Sequence, residues 1–350
     1  MVVDPRHDHS MRIPRPDLSV TLGTPNACTN CHAKKTAQWA ANAIEKWTGT
    51  PPAGYQRFAE ALRAGALGST GARDALLSVI NDPSQPALVR ASAIDRLANW
   101  LTLASTDAVA HALQDPDASV RLAAVEALAN TEPEMRQRLL PAILGDPVLS
   151  VRIEAARALA GAPEQMLTQP QRAQFNTTLA EYINVQTYNA DRPEGRSNLG
   201  NLYAQRADPA AAIVEYRKAV AIDPTFVPAY ANLADLYGAR GADGEAVAVL
   251  REGLARNPRA AMLHHALGLA LVRQKQPAEA LKALRMANEL APDSARFAYV
   301  YAVALNDTGR GKDALQVLAA AQKRDPYSRE VLSGLAYFTA QAGKRELALG

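Results

Sequence analysis

Apolar residues in the second half of this chain recur on two scales at once, at helical spacing and again every 34 positions. Pro224, Pro258, Pro292 and Pro326 are 34 residues apart each time. Counting back from each proline, small and large apolar residues fall at fixed places: Leu199, Gly200, Tyr203, Ala212, Tyr216 and Ala219 in the first unit, and Leu267, Gly268, Leu271, Ala280, Leu284 and Ala287 in the third. Each unit is predicted to be a pair of helices, with the small residues where the two approach. A fifth unit begins near Arg329 with Leu332, Leu335 and Ala336 and reaches Ala348 to Gly350 midway through its second helix. Upstream lies a shorter period. Val89-Arg90, Val120-Arg121 and Val151-Arg152 each lead into an alanine-rich amphipathic helix, with the arginines 31 residues apart. Ala93, Leu97, Ala124, Leu128, Ala155 and Leu159 follow on one face. Asp82-Pro83, Asp115-Pro116 and Asp146-Pro147 precede them; an aspartate that caps the free amides and a proline in the first turn predict that these steps start the helices. Residues 163–192 read as a connecting segment with a helix over Gln174 to Tyr188. In the first fifty residues Pro5, Pro14, Pro16 and Pro25 exclude long helices up to Asn26 and predict an extended arm. Ala37 to Trp47 follows as an amphipathic helix with Trp39, Ala43 and Trp47 on one stripe.

Composition turns this pattern into an all-α fold. Of the 350 residues 48% are hydrophobic, 21% charged and only 5% aromatic. The expected division is an arm at 1–50, a first helical solenoid at 51–165, a connecting helix at 166–192 and a second solenoid at 193–350. The formal net charge of +3 carries no footprint of nucleic-acid binding, and no run of about 18 apolar residues is present to span a membrane. Nucleophile triads, phosphate-binding glycine loops and paired catalytic carboxylates are not recognisable. Asp4 and Asp8, and Asp115 and Asp117, read as loop and cap residues.

Chemistry concentrates in Cys28-Thr29-Asn30-Cys31-His32, which holds both cysteines of the chain with a histidine directly behind them. The arrangement reads as a site for covalent haem c. Each thiol forms a thioether to one vinyl group, and His32 ligates the iron. Other chemistry is open to such a pair: a redox dithiol, or half of a zinc site completed by His7 and His9. A dithiol site of the thioredoxin type would sit on a βαβ pattern, of which there is no trace near residue 28. The two tryptophans are expected to pack against the haem or the first helix of the 31-residue array, and His111, His264 and His265 to be structural residues of repeat helices.

Three resemblances follow. The 34-residue units resemble tetratricopeptide repeats. The 31-residue units resemble short HEAT-type repeats, which implies an aspartate–arginine ladder between neighbouring units. Asp8-His9-Ser10-Met11-Arg12-Ile13-Pro14-Arg15-Pro16-Asp17, Gly23-Thr24-Pro25-Asn26-Ala27 with the cysteine motif, and Gln38-Trp39-Ala40 resemble the C-terminal haem segment of periplasmic multihaem c-type cytochromes that carry both repeat types. The close match covers about 50 residues, and the chain is expected to be an internal or C-terminal fragment of such a protein. The resemblance implies one haem c here, His9 as the distal iron ligand with His7 and Met11 as alternatives, and a periplasmic or otherwise extracytoplasmic location.

Two functions of different classes are expected from this. One is an electron-transfer module that exchanges single electrons with a redox partner or a neighbouring haem domain, while the solenoids dock proteins. The alternative is a non-redox adaptor whose tetratricopeptide groove binds peptides or proteins, with the cysteine motif zinc-bound or idle. Catalysis at the iron would need a substrate-polarising cluster, and the sequence shows none. Asn198, Asn201, Asn232 and Asp235 resemble the polar positions of peptide capture in tetratricopeptide repeats.

Overall fold

The computed structural model describes residues 14–49, 58–98 and 101–341, and every regular element among them is helical. Three helices come first: α1 (Pro16–Leu22), α2 (Ala27–Cys31) and α3 (Ala37–Thr48). The described part of the arm is therefore helical, which corrects the expectation of an extended segment. Pro16 occupies the first turn of α1, where its missing N–H has no partner to lose. Gly23, left-handed at φ 70°, then ends the helix. The prolines shorten the arm's helices without preventing them.

The 31-residue array comprises α4 (Ala59–Leu67), α5 (Ala72–Ile80), α6 (Ala87–Ala98), α7 (Leu103–Ala112), α8 (Ala118–Ala129), α9 (Pro133–Leu139) with a 3-10 turn at Leu140–Ile143, and α10 (Leu149–Leu159). After a second 3-10 turn, Glu164–Met166, comes α11 (Gln169–Tyr188). Leu76, Ile94, Leu97, Leu128, Leu140 and Val151 form a core that continues unbroken into Phe175, Leu179 and Tyr182 of α11. The connecting helix thus buries its own apolar face against the array.

The implied ladder is present, and its geometry differs from a set of caps. Arg90 pairs with Asp115, Arg121 with Asp146 and Arg152 with Glu181. The second rung is bidentate, Nε to Oδ2 at 2.7 Å and Nη2 to Oδ1 at 3.0 Å, with side chains 12% and 5% exposed. Desolvation alone would push Asp146 up; the bonds from Arg121 and the Val148 N–H overcome it and hold this carboxyl below its usual range. The aspartates of the Asp-Pro steps do not start the helices. Asp117 caps α8 by accepting from the Ser119 N–H, and α10 begins after Val148. Asp115 and Asp146 accept instead from the N–H two residues on, at 2.9 Å each, which holds their carboxylates toward the preceding unit's arginine.

The 34-residue array comprises the pairs α12 (Pro193–Gln205) and α13 (Pro209–Ile222), α14 (Val227–Ala239) and α15 (Asp243–Arg256), α16 (Ala261–Arg273) and α17 (Pro277–Leu290), and α18 (Ala295–Asp307) and α19 (Gly311–Arg324), followed by α20 (Arg329–Gln341). Small residues mark helix contacts as expected: a Cβ on Gly200 would stand 2.5 Å from the Tyr216 ring, and one on Gly268 2.5 Å from Leu284. The expected second helix of the fifth unit, with Ala348 to Gly350, lies outside the described residues.

Each pair is joined by a turn with one left-handed residue, again 34 positions apart. Gly241 (φ 71°) and Gly309 (φ 80°) fill it in two units, whereas Ala207 and Lys275 adopt φ 58° in the others. A Cβ in this region is strained, although glycine gives the unfolded chain more freedom. Lys275→Gly is therefore expected to stabilise the array by about 0.5 kcal/mol, read as a rise in the urea midpoint with an unchanged slope.

Candidate functional site

Two places gather functional chemistry. The first is α2. Asn26 caps it by accepting from the Thr29 N–H at 3.1 Å, so a single helical turn presents Cys28 and Cys31 three residues apart, on one face. His32 closes the turn, its N–H donating to the Cys28 carbonyl at 2.8 Å. Both cysteines are free thiols; Cys28 is half-buried, and Cys31 and His32 are exposed. The imidazole lies against the Trp39 indole of α3, with ring centroids 4.9 Å apart. The donor set fits a thioether-bound haem: two free thiols on one turn, engaged with nothing else among the described residues, with an accessible nitrogen ligand adjoining. Among the described residues no group of three or more His, Cys, Asp or Glu is placed to hold a metal ion. His7, His9 and Met11 lie outside the described residues.

Trp39 is half-buried with the His32 ring against it, and Trp47 is 75% exposed. Of the repeat histidines, His264 bonds the Pro258 carbonyl through Nε2 at 2.8 Å, His265 is buried and His111 is exposed.

The second place is a cavity of about 540 Å³ where the two arrays meet. Asn198, Asn201, Asn232 and Asp235, singled out from the sequence, all line it. The Asn201 side-chain Oδ1 is the hub, accepting from the Tyr216 hydroxyl at 2.7 Å and from the Asn232 Nδ2 at 2.8 Å. Asn198 donates to Gln186 Oε1 at 3.0 Å. These bonds fix the asparagine side chains while leaving the Asn201 NH2 and the Asn232 carbonyl oxygen unengaged among the described residues. A donor and an acceptor held side by side match the C=O and N–H of an extended backbone. Burial pushes the Tyr216 hydroxyl up to about 12, so it stays a donor. Asp235 is open to water yet walled by protein, and the desolvation this brings raises its carboxyl while Arg273 pulls the other way. Sequence reasoning missed two further lining residues, Arg157 of α10 and Tyr182 of α11. Neither belongs to the 34-residue pattern.

Comparison with known proteins agrees with the periods. Residues 73–160 match a model of HEAT repeats, and residues 202–269 and 265–329 match models of the tetratricopeptide repeat. No curated protein matches the chain. Similar solved structures include the crystal structure of MamA, at 20% identity over 43% of this chain and 88% of that one, with a TM-score of 0.38. The crystal structure of YrrB, described as a TPR protein with an unusual peptide-binding site, is 24% identical over 48% of this chain and 87% of that one, with a TM-score of 0.38. The chain thus carries both HEAT and tetratricopeptide repeats.

Proposed function

We propose that this chain is a protein-docking scaffold that captures an extended peptide segment of a partner in the cavity between its two arrays. The single observation that carries this reading is the bonded set Tyr216–Asn201–Asn232, which holds two amide groups in place for a backbone. A peptide lying there exchanges water for these groups at little ordering cost, because the side chains are already fixed. Peptides selected from a random library on the immobilised chain provide the test. Asn232→Ala removes one backbone contact, worth about 1 kcal/mol, and is expected to weaken them about fivefold. Equal affinity for the variant, with its melting curve unchanged, would remove the cavity from the docking surface.

A second reading has its own observation, the free Cys28 and Cys31 on one exposed turn beside His32. It makes the scaffold an electron-transfer module in an extracytoplasmic compartment, with a redox protein or a neighbouring haem domain as partner. Cys28 and Cys31 would hold one haem c and His32 would ligate its iron, with His9, His7 or Met11 as candidates for a second iron ligand. The group supplies one-electron exchange when bound. This chain's own part is to tether it, to offer the imidazole, and to back that ring with Trp39.

A further inference from the structure

The apolar stripe of α3 ends in two indoles, of which one is covered. Trp39 has the His32 ring against it. Trp47, two turns further along the same face, is 75% exposed. An indole is among the largest apolar surfaces a side chain can bury, and here one stands open on the helix that follows the cysteine motif. Ala43, between the two, keeps the stripe low. The indoles are about 12 Å apart along the axis at 1.5 Å per residue, long enough to bed a flat ring system. The surroundings are cationic: Lys34, Lys35 and Lys46 stand against Glu45 alone between residues 27 and 49. Lys35 Nζ lies 5.8 Å from the Trp39 ring centroid.

These features define an occupant that is flat, apolar over its faces and anionic at an edge. A haem has this chemistry, with two propionates for the lysines, and attachment at Cys28 and Cys31 would keep it at the head of the stripe. We propose that the Trp39–Ala43–Trp47 face of α3 is the bed of that haem, with Trp47 covered by the macrocycle and Lys35 beside a propionate. The proposal rests on the haem reading above and goes beyond it by naming the surface.

The experiment uses the full chain matured in an oxidising compartment that contains haem-ligation machinery. Intact mass reports attachment, circular dichroism in the Soret band reports the asymmetric contact of the haem with the protein, and amide exchange over α3 reports cover. Trp47→Ser is the test variant, Trp47→Phe retains an aromatic face, and Cys28→Ser with Cys31→Ser removes the tether. The parent is expected to gain the mass of one haem and to exchange more slowly over α3 than the tetherless variant. Trp47→Ser should keep its haem but show a weaker Soret dichroism, which Trp47→Phe largely restores. A haem-bearing Trp47→Ser chain with undiminished dichroism, or α3 exchange alike with and without the tether, overturns the bed and leaves the haem reading standing. An unmodified mass in the parent overturns the haem reading, and the bed with it.

Discussion

Acidification from about pH 7 to about pH 5 is expected to cost the tetratricopeptide array about 2 kcal/mol through one side chain, His265. Its ring stacks on Phe297 of α18, with centroids 4.5 Å apart and planes 26° from parallel. Both ring nitrogens are buried without a hydrogen-bond partner. Burial first, and the charge of Arg296 second, lower its pKa from 6.5 to about 4. The folded chain therefore keeps this group neutral where the unfolded chain takes up a proton. Stability is full above the unfolded value, about 6.5, and falls as the pH drops towards the folded value. Carboxylates held low by their partners, such as Asp17 and Asp146, lose their contribution only below about pH 4. Glu126 and Asp235, raised by burial, act with the opposite sign. The readout is therefore the difference between the parent and His265→Leu in urea unfolding across that range. The variant's profile should be flatter by about 2 kcal/mol, and parallel profiles would exclude His265 as the source.

Gly195→Ala is expected to destabilise the junction of the two arrays by about 2–3 kcal/mol, net of about 1 kcal/mol that alanine gains in a helix. A Cβ at Gly195 would stand 2.5 Å from the Asn189 carbonyl oxygen, 2.8 Å from its carbon and 2.9 Å from the Gln186 carbonyl oxygen. All three are backbone atoms of the end of α11 or the turn after it, so no rotamer change relieves the contact. The first turn of α12 must move away, and with it the Asn198–Gln186 bond. Gly244→Ala is the matched control. Its Cβ meets nothing within 4 Å in the first turn of α15, and it should be neutral or slightly stabilising. Urea unfolding checks both, and a Gly195→Ala chain as stable as the parent would show that α11 and α12 can separate freely.

What was legible in the sequence, and what was not, divides by the range of the interaction. The 34-residue period placed Gly200 against Tyr216 and Gly268 against Leu284 because these contacts repeat within a helix pair. The spacing of Arg90, Arg121 and Arg152 marked the repeat whose resemblance implied the ladder, although these bonds run between neighbouring units. The cap positions slipped: an Asp-Pro step reads locally as a helix start, but Asp115 and Asp146 are held by arginines 25 residues away. That bond competes with capping and leaves no mark nearby. Of the cavity, the asparagine wall followed from the repeat register. The wall from Arg157 and Tyr182 depends on how α11 returns the chain to α12, and no periodicity encodes that. The cysteine motif was visible as chemistry, but the bare indole of Trp47 was not, since a stripe of apolar residues looks the same whether or not a helix covers it.

Since Arg157 lies on α10, Tyr182 on the connecting helix α11, and Asn232 and Asp235 on α14 of the second array, any change in the angle between α11 and α12 would widen or narrow the mouth of the cavity. A bound segment would act there as a splint. By gripping both walls it would stiffen the molecule at that junction, so occupancy should be detectable far from the contact, as a change in the curvature of the whole molecule.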